Sequence, residues 1–266
     1  MLFDKVLFCL SGRMRSDKTF IKYMLGASAK LLLRFSPYPF SEGKKYIFWG
    51  YLGRNSKFLG KRNVYFLDHA INELKLSKKY FFLKDSSLVL MPLYFPMGSV
   101  DQGLFFEFAR RVQDSRLVNL SFEYSPNVMK KCSKVIYIKE SPIISSMLNG
   151  ISSRFVSRVL AYAELEETPL MVSKKVNEIT FVGKRKASFK QNKLISLNVD
   201  KSDITFVICP YSSLSLIFIL SGIKVLMCRE NPFYTLKNLY KKKADERILV
   251  ALDFLNKHTI SLDAFL

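Results

Sequence analysis

The chain has 266 residues, enough to bury one large core or two smaller ones without a disulfide or metal staple. Hydrophobic residues make up 49% and charged residues 24%, a globular composition that excludes a mostly disordered or collagen-like chain. Lys and Arg number 42 against 22 Asp and Glu, a formal net charge of +20. That charge fits a negatively charged partner: nucleic acid, anionic lipid, lipopolysaccharide or a nucleotide-linked substrate. It fits equally a codon bias toward Lys, which would also raise the aromatic content.

In chain order, the short apolar run 5–10 predicts a buried strand, followed by Ser11-Gly12-Arg13 as a loop. Residues 18–35 carry apolar side chains at helical spacing, with Lys18, Lys22, Lys30 and Arg34 on the other side; this predicts a basic amphipathic helix. Strands are expected at 45–49, at 62–67 ending in Asp68-His69, at 80–83 and at 87–93. A helix follows over 102–112, extended chain over 117–122 and 134–138, and a helix over 143–163 with a break at Asn149-Gly150. The pattern then restarts with a strand at 178–182, a short helix at 189–197 and a strand at 203–209. An apolar helix over 214–221 ends at Gly222, a strand runs over 223–228, and a last helix over 247–256.

Strands alternating with helices predict parallel βαβ units. The expected fold is α/β, with two compact Rossmann-like domains and mostly parallel sheets, divided as 1–168 and 169–266. In such sheets ligands bind at the carboxyl ends of the strands, so those ends are where chemistry is sought.

Four strand ends stand out. Ser11-Gly12-Arg13 is either a ligand-approaching loop or a plain tight turn; no GxGxxG fingerprint accompanies it, which argues against NAD or FAD. Asp68 ends an apolar strand and is either a base for a hydroxyl nucleophile or a helix cap; Asp101, just before a helix, is a rival acid with capping as its simpler role. Gly183-Lys184-Arg185-Lys186 is a phosphate clamp or a solvated run. Pro210-Tyr211-Ser212-Ser213 places two hydroxyls where a helix opens, as phosphate ligands, as an N-cap, or as both.

Four cysteines (Cys9, Cys132, Cys209 and Cys228) lack CxxC spacing, and His69 and His258 stand alone, so no structural metal and no disulfide is expected. Cys9, Cys209 and Cys228 lie in apolar runs and read as core. The N-terminal apolar stretch is too short for a signal peptide and carries Asp4; no run reaches the roughly 20 apolar residues of a spanning helix. A cytoplasmic protein is expected, with any membrane contact peripheral and on the inner membrane.

The stretch 204–226, with Cys209-Pro210-Tyr211-Ser212-Ser213 followed by an apolar helix and Gly222-Ile223-Lys224-Val225, resembles the donor-binding half of GT-B glycosyltransferases. It is most similar to bacterial sialyltransferases and polysialyltransferases of capsule and lipooligosaccharide synthesis. The resemblance implies an inverting, metal-independent transfer from a nucleotide sugar, a CMP-sugar above all, to a glycan or glycolipid acceptor. It assigns the donor phosphate to Ser212 and Ser213 and the acceptor-activating base to Asp68 or Asp101. Pro210, Tyr211, Gly183, Lys184, Arg185 and Thr168 complete the expected donor site. The family's His-Pro is absent; Thr168-Pro169 stands at the corresponding separation before Ser212 and cannot supply an imidazole.

The same transferase reading gives the basic surface a partner, the anionic face of the inner membrane, with the 18–35 helix as the candidate contact or else simply a partly buried helix of the N-terminal domain. Two other readings remain: a basic nucleic-acid-binding protein, which the scattered cations and lack of a recognition motif argue against, and a catalytically inactive transferase-like assembly protein.

Overall fold

A computed structural model of the chain describes residues 6–9, 30–32, 45–51, 53–70, 80–91, 93, 99–123, 135–138, 140, 142–148, 151–162, 170–172 and 194–261. The described elements begin with strands β1 (Val6–Cys9), β2 (Lys30–Leu32), β3 (Lys45–Trp49), β4 (Val64–His69) and β5 (Tyr80–Asp85). Helix α1 (Gln102–Asp114), β6 (Leu117–Glu123), β7 (Val135–Ile138), α2 (Pro142–Met147), α3 (Ile151–Tyr162) and β8 (Leu170–Val172) follow. The rest are β9 (Leu194–Asp200), β10 (Phe206–Ile208), α4 (Leu214–Leu220), β11 (Lys224–Leu226), α5 (Ala244–His258) and β12 (Thr259–Ser261).

The chain forms two compact units. One comprises Met1–Val100 with Asp253–Leu266, the other Asp101–Leu252. The expected division at 168/169 falls inside the second unit, where β7 and β8, on either side of it, pair in one sheet.

In the first unit the described strands make a six-stranded sheet in the order β12-β5-β4-β3-β1-β2. The neighbours β2-β1-β3-β4 are parallel, while β5 and β12 add on antiparallel beyond β4. In the second unit the order is β11-β10-β7-β8-β6-β9, again among the described residues. There β8-β7-β10-β11 are parallel, and β6 and β9 add on antiparallel beyond β8. Counted along the chain, each parallel quartet therefore has the order 2-1-3-4. In sheets of that order the winding direction reverses between the first and third strands, and the crevice outside their carboxyl ends is where ligands bind.

The apolar pattern explains the second unit's core. Phe206, Val207 and Ile208 of β10 are all buried, as expected of a strand covered on both faces. Val135, Phe206 and Ile208 cluster, and Phe155, Val156 and Val159 of α3 pack on them. All seven residues of α4 are buried, matching a sequence that is apolar around the whole helix. Gly222, at φ +80°, ends it. Its N–H donates to the Ile219 carbonyl and that of Ile223 to Phe218, a Schellman ending in which only glycine takes the left-handed position without strain.

Three expectations change. Residues 30–32, placed in a basic helix, form β2, paired in parallel with β1; sheet pairing overrides the local helical spacing. The remainder of that expected helix lies outside the described residues. Residues 194–197, expected as helix, belong to β9. Ile195, Leu197 and Val199 alternate there with Ser196, Asn198 and Asp200, a period of two that fits its antiparallel ladder with β6. Over 87–93 the described residues form one isolated bridge, Leu90 to Lys84, just after the chain passes Leu88 at φ +62°. The broken helix at Asn149-Gly150 does divide into α2 and α3. The strand expected at 178–182 lies outside the described residues.

Candidate functional site

The second unit's carboxyl edge carries the best-defined cluster of polar groups. The chain leaves β10 through Cys209, Pro210, Tyr211, Ser212 and Ser213 before α4 begins, beside the reversal point between β7 and β10. The strand pairing continues past the strand ends: Cys209 N–H donates to Leu226 O at 2.9 Å and Cys228 N–H to Pro210 O at 3.2 Å. Pro210, Tyr211 and Ser212 are buried, and Ser213 is half-buried.

Two buried residues hold this loop in place. Asn231 donates from Nδ2 to the carbonyls of Cys209 (3.1 Å) and Ser212 (3.4 Å), and its Oδ1 accepts from Phe233 N–H at 2.9 Å. Ser215 donates its hydroxyl to Ser212 O at 2.8 Å and lies 3.2 Å from Asn231 Oδ1. Both are almost wholly inaccessible, so these bonds are made in a low-dielectric interior, where leaving one unmade costs about 1–3 kcal/mol. Neither residue is singled out by sequence reasoning. Their only signal is a polar side chain inside an apolar run, at Ser215, and an Asn-Pro turn, at Asn231.

The two serines differ. Ser212 Oγ accepts from Leu214 N–H at 3.3 Å, so its hydroxyl takes the capping role. Ser213 has helical backbone angles (φ −64°, ψ −22°) and makes no side-chain cap hydrogen bond. The amides that open α4 are engaged: Ser215 N–H donates to Ser212 O and Leu216 N–H to Ser213 O. The helix opening is thus less of an anion cradle than the sequence suggested, and the Ser213 hydroxyl is its most accessible donor.

Glu140, two residues past β7, is buried and accepts from Tyr137 Oη at 2.8 Å. Burial, with Glu230 and Glu140 nearby, pushes the Cys228 thiol up to about 12, which makes it a poor nucleophile. Cys209 and Cys228 are buried thiols outside any disulfide, packed as core. Among the described residues no three His, Cys, Asp or Glu side chains gather as metal ligands.

The two candidate bases fall in different units. Asp68 lies within β4, not after it, and Oδ2 pairs with Lys84 Nζ of β5 at 2.7 Å. Lys84 is 2% exposed. Burial works against its ammonium, but Asp68 and the Tyr51 phenol outweigh it and hold the amine above its ordinary range. The Lys84 ammonium also lies 5.4 Å from the Tyr51 ring centroid. Asp101 caps α1: its Oδ1 accepts from Leu104 N–H at 3.0 Å. That bond satisfies one of the orphan donors of the helix's first turn. Thr168, Gly183, Lys184 and Arg185 lie outside the described residues.

No protein-family model and no curated protein matches this chain. Among the described residues no helix is long and apolar enough to cross a membrane.

Proposed function

We propose that the protein is a compact GT-B-like glycosyltransferase of two Rossmann-like domains, moving a sugar from a nucleotide donor, a CMP-sugar first, to a bacterial surface glycan or glycolipid. The observation that carries this reading is the Pro210–Ser213 loop. It is fixed at the reversal point of a parallel quartet by neutral hydrogen bonds, with Ser212 buried and Ser213 half-buried.

In the reaction, an acceptor oxygen attacks the anomeric carbon, and the bond from that carbon to the donor phosphate oxygen breaks. The electron pair leaves on the nucleotide phosphate, and the acceptor proton passes to a carboxylate, with inversion. Ser213, assisted by Ser212, donates to the leaving phosphate. The carboxylate is Asp68 or Asp101, as the family resemblance implies. In Asp68 the Lys84 ammonium occupies Oδ2, so the proton would go to Oδ1; in Asp101 the helix amide occupies Oδ1, so it would go to Oδ2. The setting is the cytoplasmic face of the inner membrane, where lipid-linked acceptors lie.

Calorimetry with CMP, UDP, GDP and a single-stranded oligonucleotide at physiological salt tests the reading. Preferential binding of CMP, weakened at least about tenfold in the Ser212→Ala/Ser213→Ala double variant, is expected; a tenfold change is about 1.4 kcal/mol, within the range of hydrogen bonds to a charged group. Binding of UDP or GDP instead would keep the class and change the donor. Binding of the oligonucleotide alone would sink the transferase in favour of the nucleic-acid reading.

A further inference from the structure

Between β11 and α5 the chain makes two short 3-10 turns, Tyr234–Leu236 and Leu239–Lys241. Phe233, Leu236 and Leu239 recur at every third residue and are buried, which fastens the segment to the second unit. Tyr234, Lys237 and Tyr240 follow one position behind and face outward, with Lys241, Lys242 and Lys243 completing the run. All four lysines are exposed, and both tyrosines are half-buried.

We propose that this lysine-tyrosine segment, together with Leu249 and Val250 of α5, is a docking surface for an anionic lipid bilayer. Four observations favour it. The cations are all lysines, compact charges suited to a diffuse anionic surface rather than to bidentate recognition of single phosphates. The two tyrosines are half-buried among the lysines, and tyrosine is a side chain that settles at a membrane interface. Leu249 and Val250 are 56% and 38% exposed; among the large exposed hydrophobics of the described residues they are the one consecutive pair. They lie three and four residues beyond Glu246, which pairs with Lys242 at 2.8 Å, so the helix repeat sets them on that same side.

The alternative partner, single-stranded nucleic acid, needs open aromatic faces on which bases stack. Here a lysine sits over each ring and competes with a base for it: Lys237 Nζ lies 4.2 Å from the Tyr234 ring centroid and donates to its hydroxyl, and Lys241 Nζ lies 5.9 Å from that of Tyr240. Asp245 and Glu246, in the first turn of α5, reduce the local charge, and Lys242 is shared with Glu246. Such an exposed pair is weak and salt-screened, so it yields to a bilayer field. The docking surface stands on the chemistry of this segment and does not depend on the transfer reaction.

Sedimentation with vesicles tests it, using phosphatidylcholine alone and phosphatidylcholine mixed with phosphatidylglycerol. The full chain should bind only the mixed vesicles, and less so as salt rises. Replacing Lys237, Lys241, Lys242 and Lys243 together by Gln should weaken binding about tenfold or more, with the circular dichroism spectrum unchanged. Leu249→Ser should weaken it by a smaller factor that salt does not alter. A charge-matched control replaces Arg110, Arg111, Arg154 and Arg158, exposed on α1 and α3, by Gln. Equal loss in this control would show that overall charge, not this segment, makes the contact, and would overturn the proposal. So would failure of the wild-type chain to bind mixed vesicles, or oligonucleotide binding that the lysine variant loses while vesicle binding stays.

Discussion

The two units carry the same parallel quartet, ordered 2-1-3-4 along the chain, yet stabilise their polar interiors by opposite means. In the second unit neutral groups do the work: Asn231 and Ser215 bond to the carbonyls of Cys209 and Ser212 and hold a loop at the carboxyl edge. In the first unit a charge pair does it: Lys84 is drawn into the sheet interior and compensated by Asp68 on the adjacent strand. Neutral bonding fixes a backbone without adding a charge of its own. A buried ion pair fixes two side chains against each other and is costly to break from one side. The antiparallel strands also extend the two sheets from different edges, beyond the fourth strand of one quartet and the second of the other.

The largest effect should come from breaking the charge pair. Asp68→Ala strands the Lys84 ammonium in the sheet. One-sided loss of a fully buried pair costs about 3–5 kcal/mol, and with Asp68 24% exposed the lower end, about 3 kcal/mol, is expected in urea unfolding. Lys84→Met/Asp68→Leu should recover most of that loss; if the double variant is as unstable as the single one, the packing and not the charge is at fault. The Lys84 amine is raised above its ordinary 10.5 in the folded chain. The stability it contributes is therefore complete below that pH and lost as pH climbs through the folded value, a limb that Lys84→Met should remove.

A smaller effect belongs to the neutral network. Asn231→Ala leaves the Phe233 amide and the Cys209 carbonyl without this partner and should cost about 2 kcal/mol. It should also weaken nucleotide binding, since the serine loop loses its fixed position. Unchanged binding in a destabilised protein would separate the network from the site.

The smallest effect lies at the end of the β6–β9 ladder, where Arg116 pairs with Asp200 at 2.5 Å. The Ser202 backbone amide and hydroxyl, with the Arg116 guanidinium, hold the Asp200 carboxyl well down, to about 2. Its contribution is present above the ordinary 3.8 and fades as pH falls toward 2, so Asp200→Asn should flatten the acid limb of a stability-pH curve in that window alone.

The sequence determined the elements whose signal is local. The uniformly apolar α4 and its glycine ending, the break between α2 and α3 and the capping role of Asp101 all follow from residues within a turn or two of each other. The paired serines are equally legible as letters, but not the division of labour in which Ser212 caps and Ser213 stays accessible, which depends on backbone angles. Tertiary structure alone decided the rest. Lys30–Leu32 becomes a strand because β1 lies beside it. Asp68 meets Lys84, and Asn231 meets Cys209, across gaps of 16 and 22 residues, through partners that no local window contains. Hydrophobic periodicity reports which face of a segment is buried; only the folded chain decides which buried polar groups find each other.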